Sequence, residues 1–153
     1  MKCENVSLET VQSQNDQLFV WIKELLKHQA KHVSKPTLKK ILGACGEKCP
    51  FSHLPDHKVV DLKNNSENES DFLDSLCEEW RLTKEGDTYI VVFDQCYCPL
   101  VTQDTQKTSK ALCYCTLGNI KRKFAIGLGR YVDVVMEGTI LAGDNECRFA
   151  VKV

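Results

Sequence analysis

Aromatic residues are scarce, at 8% of 153 positions, and neither charge sign is in excess, with 20 Lys and Arg against 21 Asp and Glu. No uninterrupted apolar run approaches the ~18 residues a helical span needs, which argues against a membrane span. The even charge balance argues against an electrostatic nucleic-acid binder. The beginning, MKCENVSLET, lacks the apolar core of a signal peptide, so a cytoplasmic protein is expected and the sequons at Asn5, Asn64 and Asn68 carry no meaning as glycosylation sites. Catalytic fingerprints are also missing. There is no G-x-S-x-G elbow, Walker loop or G-x-G-x-x-G turn, and no histidine follows His57 to serve as a neighbouring base for a later nucleophile.

Forty-two per cent of the residues are hydrophobic and cysteine occurs nine times, at 3, 45, 49, 77, 96, 98, 113, 115 and 147. A chain of this length buries about two thirds of its unfolded surface and folds without staples. An odd count of thiols in a cytoplasmic chain fits a disulfide framework poorly, so metal or redox chemistry becomes the question. Six of the nine lie in close pairs, Cys45/Cys49, Cys96/Cys98 and Cys113/Cys115.

The apolar spacing of Val11, Leu18, Trp21, Ile22, Leu25 and Leu26 predicts a helix over 7–33. Pro36 opens a second helix that Gly43 and Gly46 weaken, ending near Cys45. Residues 49–71 read as a connector, mobile over 63–70, where the run is wholly polar. Asp71 is the expected N-cap of a helix that buries Phe72, Leu73, Leu76, Cys77 and Trp80. A hairpin turns at 85–87 and leads through Thr88–Phe93 into Cys96-Tyr97-Cys98-Pro99. Ser109 caps a long helix with Cys113, Leu117, Ile120, Phe124 and Leu128 inward and Lys121, Arg122 and Lys123 solvated, stopped by Gly127 and Gly129. A second hairpin closes the chain over 131–151. The order predicts an α+β fold, an antiparallel sheet of hairpins with a long helix on one face. The divisions are an N-terminal helical segment (1–62), a connector (63–70) and an α+β ligand-binding part (71–153), in one structural unit.

Cys96 and Cys98 project to one face at a strand end, so both sulfurs can approach one ion. Cys113 and Cys115 point about 200° apart on a regular helix and cannot share an ion from there. At a helix start, however, the unpaired N–H groups favour thiolate. Cys45-x3-Cys49-x3-His53-x3-His57 offers four ligands suited to zinc, though Pro50 and Pro55 preclude one continuous helical face. The candidate metal ligands are Cys45, Cys49, Cys96, Cys98, Cys113 and Cys115, with zinc as the candidate cofactor. Cys3, Cys77 and Cys147 read as an inert terminal thiol, core filler and a buried strand residue.

The stretch Leu112-Cys113-Tyr114-Cys115-Thr116-Leu117-Gly118, the turn Gly129-Arg130-Tyr131 and the ending Ala142-Gly143-Asp144-Asn145-Glu146-Cys147-Arg148-Phe149-Ala150-Val151 resemble the 4-vinyl-reductase-type domain. That resemblance implies a fold like the α+β trafficking-complex subunits and a small-molecule-binding sensor module, often dimeric, in which cysteines near the last hairpin bind zinc in some members. Cys147 matches the family's last cysteine, and Thr139 stands where many members carry another, which leaves Cys96, Cys98, Cys113 and Cys115 as a local substitute. A weaker similarity to proteins near the aminothiazoline-carboxylate hydrolase group keeps an enzyme reading open. The favoured expectation is a homodimeric small-molecule-binding or sensor-like domain. Its pocket would lie between the sheet and the 109–128 helix and be lined by Phe93, Tyr97, Tyr114, Phe124 and Met136. The alternatives are a thiol-dependent hydrolase or redox enzyme and a structural zinc protein.

Overall fold

The computed structural model describes residues 8–102 and 108–153, with side chains from residue 13 onward. Cys3 lies outside them. Helix α1 spans Leu8–His32 and α2 Lys35–Gly46. Between them the Ser34 hydroxyl oxygen accepts the Thr37 N–H at 3.4 Å, and Pro36 occupies the first turn, where its missing donor costs nothing.

A third helix, α3, spans Asp56–Asn65, where the sequence reads as a connector. Val59 is its one buried residue, so the apolar periodicity that marks a helix is nearly silent there. Helix α4 covers Glu69–Glu79, and its N-cap is Asn68 instead of the expected Asp71. The Asn68 side chain accepts the Asp71 N–H at 3.0 Å, while the Asp71 carboxylate reaches back to the Glu67 N–H at 2.9 Å. That reciprocal arrangement is a variant of the capping box, with the acidic residue third in the helix.

Strands β1 (Leu82–Glu85) and β2 (Thr88–Phe93) form a hairpin with Glu85 opposite Thr88, and Gly86 supplies the positive φ that the two-residue turn needs. Helix α5 spans Cys113–Leu128 after a single 3-10 turn at Lys110–Leu112, whose cap is Ser109, and ends on left-handed Gly129. Strand β3 (Asp133–Gly138) returns through a turn closed by Asp144, which accepts the Thr139 N–H at 2.8 Å, into β4 (Cys147–Lys152). The four strands are antiparallel in the order β1-β2-β4-β3, so the last strand lies inside the sheet.

Helix α5 covers one face of the sheet: Leu117, Ile120 and Phe124 pack on Val91, Val134, Phe149 and Val151. A second cluster joins Leu26 of α1 and Leu38 and Leu42 of α2 to Val101, Leu112 and Tyr114. What brings α2 this close to α5 is glycine. A Cβ added at Gly118 would sit 2.0 Å from the Gly43 carbonyl oxygen, and one at Gly46 would sit 1.8 Å from the Cys115 carbonyl oxygen. The backbones therefore touch where the two helices cross, and α2 runs unbroken through the glycines expected to weaken it.

Lys123, expected on the solvated face, is 2% exposed. Its ammonium meets Asp56 of α3 at 2.5 Å, and Arg122 meets the same carboxylate at 3.1 Å. Burial pushes the Asp56 carboxyl up, but the hydrogen bonds and charges of Lys123 and Arg122 outweigh it and hold the pKa below the usual carboxylate range. On the opposite sheet face Arg148 is held by Glu85 at 2.6 Å and by Glu137 at 2.9 Å.

Candidate functional site: a thiol-lined pocket

Four segments meet at one end of the sheet. The first is the loop that leaves α2, where the Cys49 N–H is fixed on the Gly46 carbonyl. The second leaves β2 and is turned by the Cys98 carbonyl, which accepts the N–H of Val101 at 2.8 Å and of Thr102 at 3.2 Å. The third is the start of α5 and the fourth the start of β4, whose Cys147 pairs with Phe93 across the ladder. They enclose a cavity of about 100 Å³ lined by Cys49, Cys96, Cys98, Cys113, Cys115 and Cys147. Phe51, Trp80, Phe93, Tyr97 and Leu141 supply apolar wall, while Ser52, His53 and Asn119 supply polar groups.

Tyr97 is held from every side. Its hydroxyl donates to Asp94 at 2.7 Å, the Arg81 guanidinium lies 4.3 Å from its ring centre while also binding Asp94, and the His53 ring stands edge-on at 4.7 Å. Asn119 of α5 bonds the Gly46 carbonyl at 3.2 Å and lies 3.1 Å from the Ser52 hydroxyl, tying the Cys49 loop to the helix.

The sulfurs meet in pairs. The Cys115 side chain is the first influence on Cys49, and Cys113 is the first influence on Cys147. The two cysteines at the start of α5 thus serve opposite sides, as the helical angle between neighbours two apart requires. The Cys96-x-Cys98 segment divides in the same way: charge on Cys49 acts on Cys98, and charge on Cys147 acts on Cys96.

The Cys115 thiol, the Phe51 N–H and the positive field of Lys123 favour the charged form of Cys49 against the cost of burial, so its pKa falls to about 6. The Cys113 thiol and the Ile140 N–H at 3.4 Å do the same for Cys147 against burial, and it falls to about 7. Burial is the first cause that raises Cys96 and Cys98. At the start of α5 the helix N-terminus, expected to favour thiolate, is opposed by the neighbouring sulfurs and by burial, which push Cys113 and Cys115 up.

Of the six candidate metal ligands, five line the cavity, and exposed Cys45 does not. Among the described residues no three Cys, His, Asp or Glu side chains are arranged to hold a metal ion. His53 lines the cavity and His57, on α3, does not. Phe93 and Tyr97 line it. Phe124 instead is fully buried in the main core, Tyr114 packs in the second cluster, and half-buried Met136 packs against both clusters, none of them reaching the cavity. The gap between sheet and α5 is filled by core side chains, and the opening lies beside it, at the end where β2, α5 and β4 begin or finish.

Cys147, read as a strand residue, belongs to the site, and so do Trp80, Phe51 and Asn119. Thr139 is 3% exposed and acts on Cys113, so it stands beside the same sulfur pair.

The molecule is thus an α+β domain with a thiol-lined pocket at one end of its sheet. The chain belongs to DUF6144, a family of unknown function, whose model matches residues 4–153. No curated protein and no solved structure matches it. None of the helices among the described residues is long and apolar enough to cross a membrane.

Proposed function

We propose that this chain is a small-molecule-binding domain whose ligand enters the thiol-lined cavity. The observation that carries the reading is convergence: six cysteines from four separate segments, with Phe93, Tyr97 and Trp80 beside them, surround one opening. A volume of about 100 Å³ is small beside the roughly 300–1,000 Å³ of drug-sized pockets, so the ligand is compact. Apolar walls and soft sulfur donors favour a small aromatic or heterocyclic compound with thiophilic character. The resemblance to the 4-vinyl-reductase-type domain supports the same class of function. In this reading the chain pairs with a second copy along α1, whose Leu18, Trp21 and Leu25 stand exposed at 50%, 62% and 41% on one helix face.

The test is a thermal-shift screen of small aromatic and heterocyclic compounds, coupled to alkylation of Cys49. A true ligand raises Tm, by about 2.7 kcal/mol of stabilisation at one hundred times its Kd, and slows Cys49 labelling, and Tyr97→Ala removes both effects. A screen in which no compound raises Tm and Cys49 labels at one rate throughout overturns the proposal.

A further inference from the structure

We infer that Cys49 and Cys115 form a dithiol–disulfide couple that exchanges with small disulfides through the cavity. This goes beyond ligand binding and needs no resident ligand. The geometry carries it: both cysteines border the same opening, and the side chain of each is the first influence on the other. The backbones that carry them are locked together, since the Cys115 carbonyl abuts Gly46 and Asn119 binds the Gly46 carbonyl. A disulfide there would join two segments whose backbones already touch.

The two sulfurs also differ as an exchange couple requires. Cys49 lies on the loop that leaves α2, whereas Cys115 is held in the first turn of α5, and both are partly exposed. Thiolate is the attacking form in thiol exchange. In the reaction, Cys49 Sγ attacks one sulfur of a low-molecular-weight disulfide. A mixed disulfide forms, and the other sulfur leaves as a thiolate. Cys115 then gives its proton to that thiolate and attacks Cys49 Sγ, so the second small sulfur departs as a thiolate. Counted from the Cys49 thiolate, the chain has lost two electrons and the Cys115 proton, and the small disulfide has become one thiol and one thiolate. The pair Cys113 and Cys147, at 6% and 7% exposure, lacks such access and stays reduced longer.

The experiment treats the reduced full-length protein with glutathione disulfide at increasing times, followed by acid quench, alkylation and peptide mapping. The expected first product joins Cys49 to Cys115, so that the chain loses two of its nine alkylatable thiols together. Cys115→Ser should accumulate glutathione on Cys49, Cys49→Ser should form neither adduct nor that disulfide, and Cys77→Ser should match wild type. A first disulfide between other cysteines overturns the inference, and so does adduct spread evenly over all thiols of the folded protein. The wild-type peptide map decides the matter even where a variant fails to fold.

Discussion

Cys49 is the residue on which the chemistry of this pocket turns. Its charge is set by three neighbours acting together, the Cys115 thiol, the Phe51 N–H and distant Lys123, none of which adjoins it in sequence. Thiolate is the reactive form, and with a pKa of about 6 its fraction falls as pH drops through 6 and changes little above 8. The alkylation rate of Cys49 should therefore show a midpoint near 6, whereas half-exposed Cys77, raised by burial and by Asp74, should still be climbing above 9. At pH 7 Cys49 should react several-fold faster than Cys77, less than the thiolate ratio alone because nucleophilicity falls with pKa. Rates measured by mass spectrometry over pH 5 to 10 check this, and Cys115→Ser should move the Cys49 midpoint upward. The cysteine pairs were legible from spacing, and so was their division across α5. Which sulfur carries the charge was not, because it depends on donors brought in from other elements.

At the scale of elements, the crossing of α2 and α5 positions the site. Of the two glycines read as weak points in α2, Gly46 is a contact point against Cys115 and Gly43 offers only its carbonyl, to Gly118, a difference invisible without knowing what faces them, since a helical glycine carries the same local cost either way. Gly118→Ala would place its methyl against the Gly43 carbonyl, a backbone atom that cannot yield. It should destabilise the fold by about 2–3 kcal/mol and raise the labelling rate of Cys115 as the helices part, while Gly43→Ala, with open space at its Cβ, should be tolerated. Denaturant melts and timed alkylation separate the two. Helices α1, α2 and α5 and both hairpins could be read from strong apolar periodicity, turn residues and caps. Helix α3 could not, because its anchor is electrostatic: Asp56 binds an arginine and a lysine 66 and 67 residues away, and that signal has no local period. The same long-range pair explains why Lys123, amid a basic run, is buried. The predicted lining failed for Phe124 and Tyr114 for a related reason: an inward aromatic on a helix reads alike whether it meets a ligand or a packed sheet.

At the scale of the whole molecule, α1 stands apart. Only Leu26 of its described side chains is buried, and the stripe of Leu18, Trp21 and Leu25 has no cover among the described residues. A homodimer formed along that stripe should give a light-scattering mass near twice 17.4 kDa at micromolar protein, and Trp21→Glu should halve it without changing the alkylation profile of the pocket. A monomeric mass for the wild type would remove the dimer and leave the pocket as described. The pocket itself is a property of the entire fold, since β4, the last strand, must insert between β2 and β3 before Cys147 can reach the sulfurs of segments more than thirty residues earlier. The most direct measurement of that convergence is the reaction of the reduced, native protein with one equivalent of phenylarsine oxide, which bridges two adjacent thiols and releases water. Peptide mapping should find the arsenic across Cys49 and Cys115, with a raised Tm and with Cys49 no longer open to alkylation. An adduct on Cys3, Cys45 or Cys77, or none until the protein is unfolded, would contradict a common thiol-lined binding pocket.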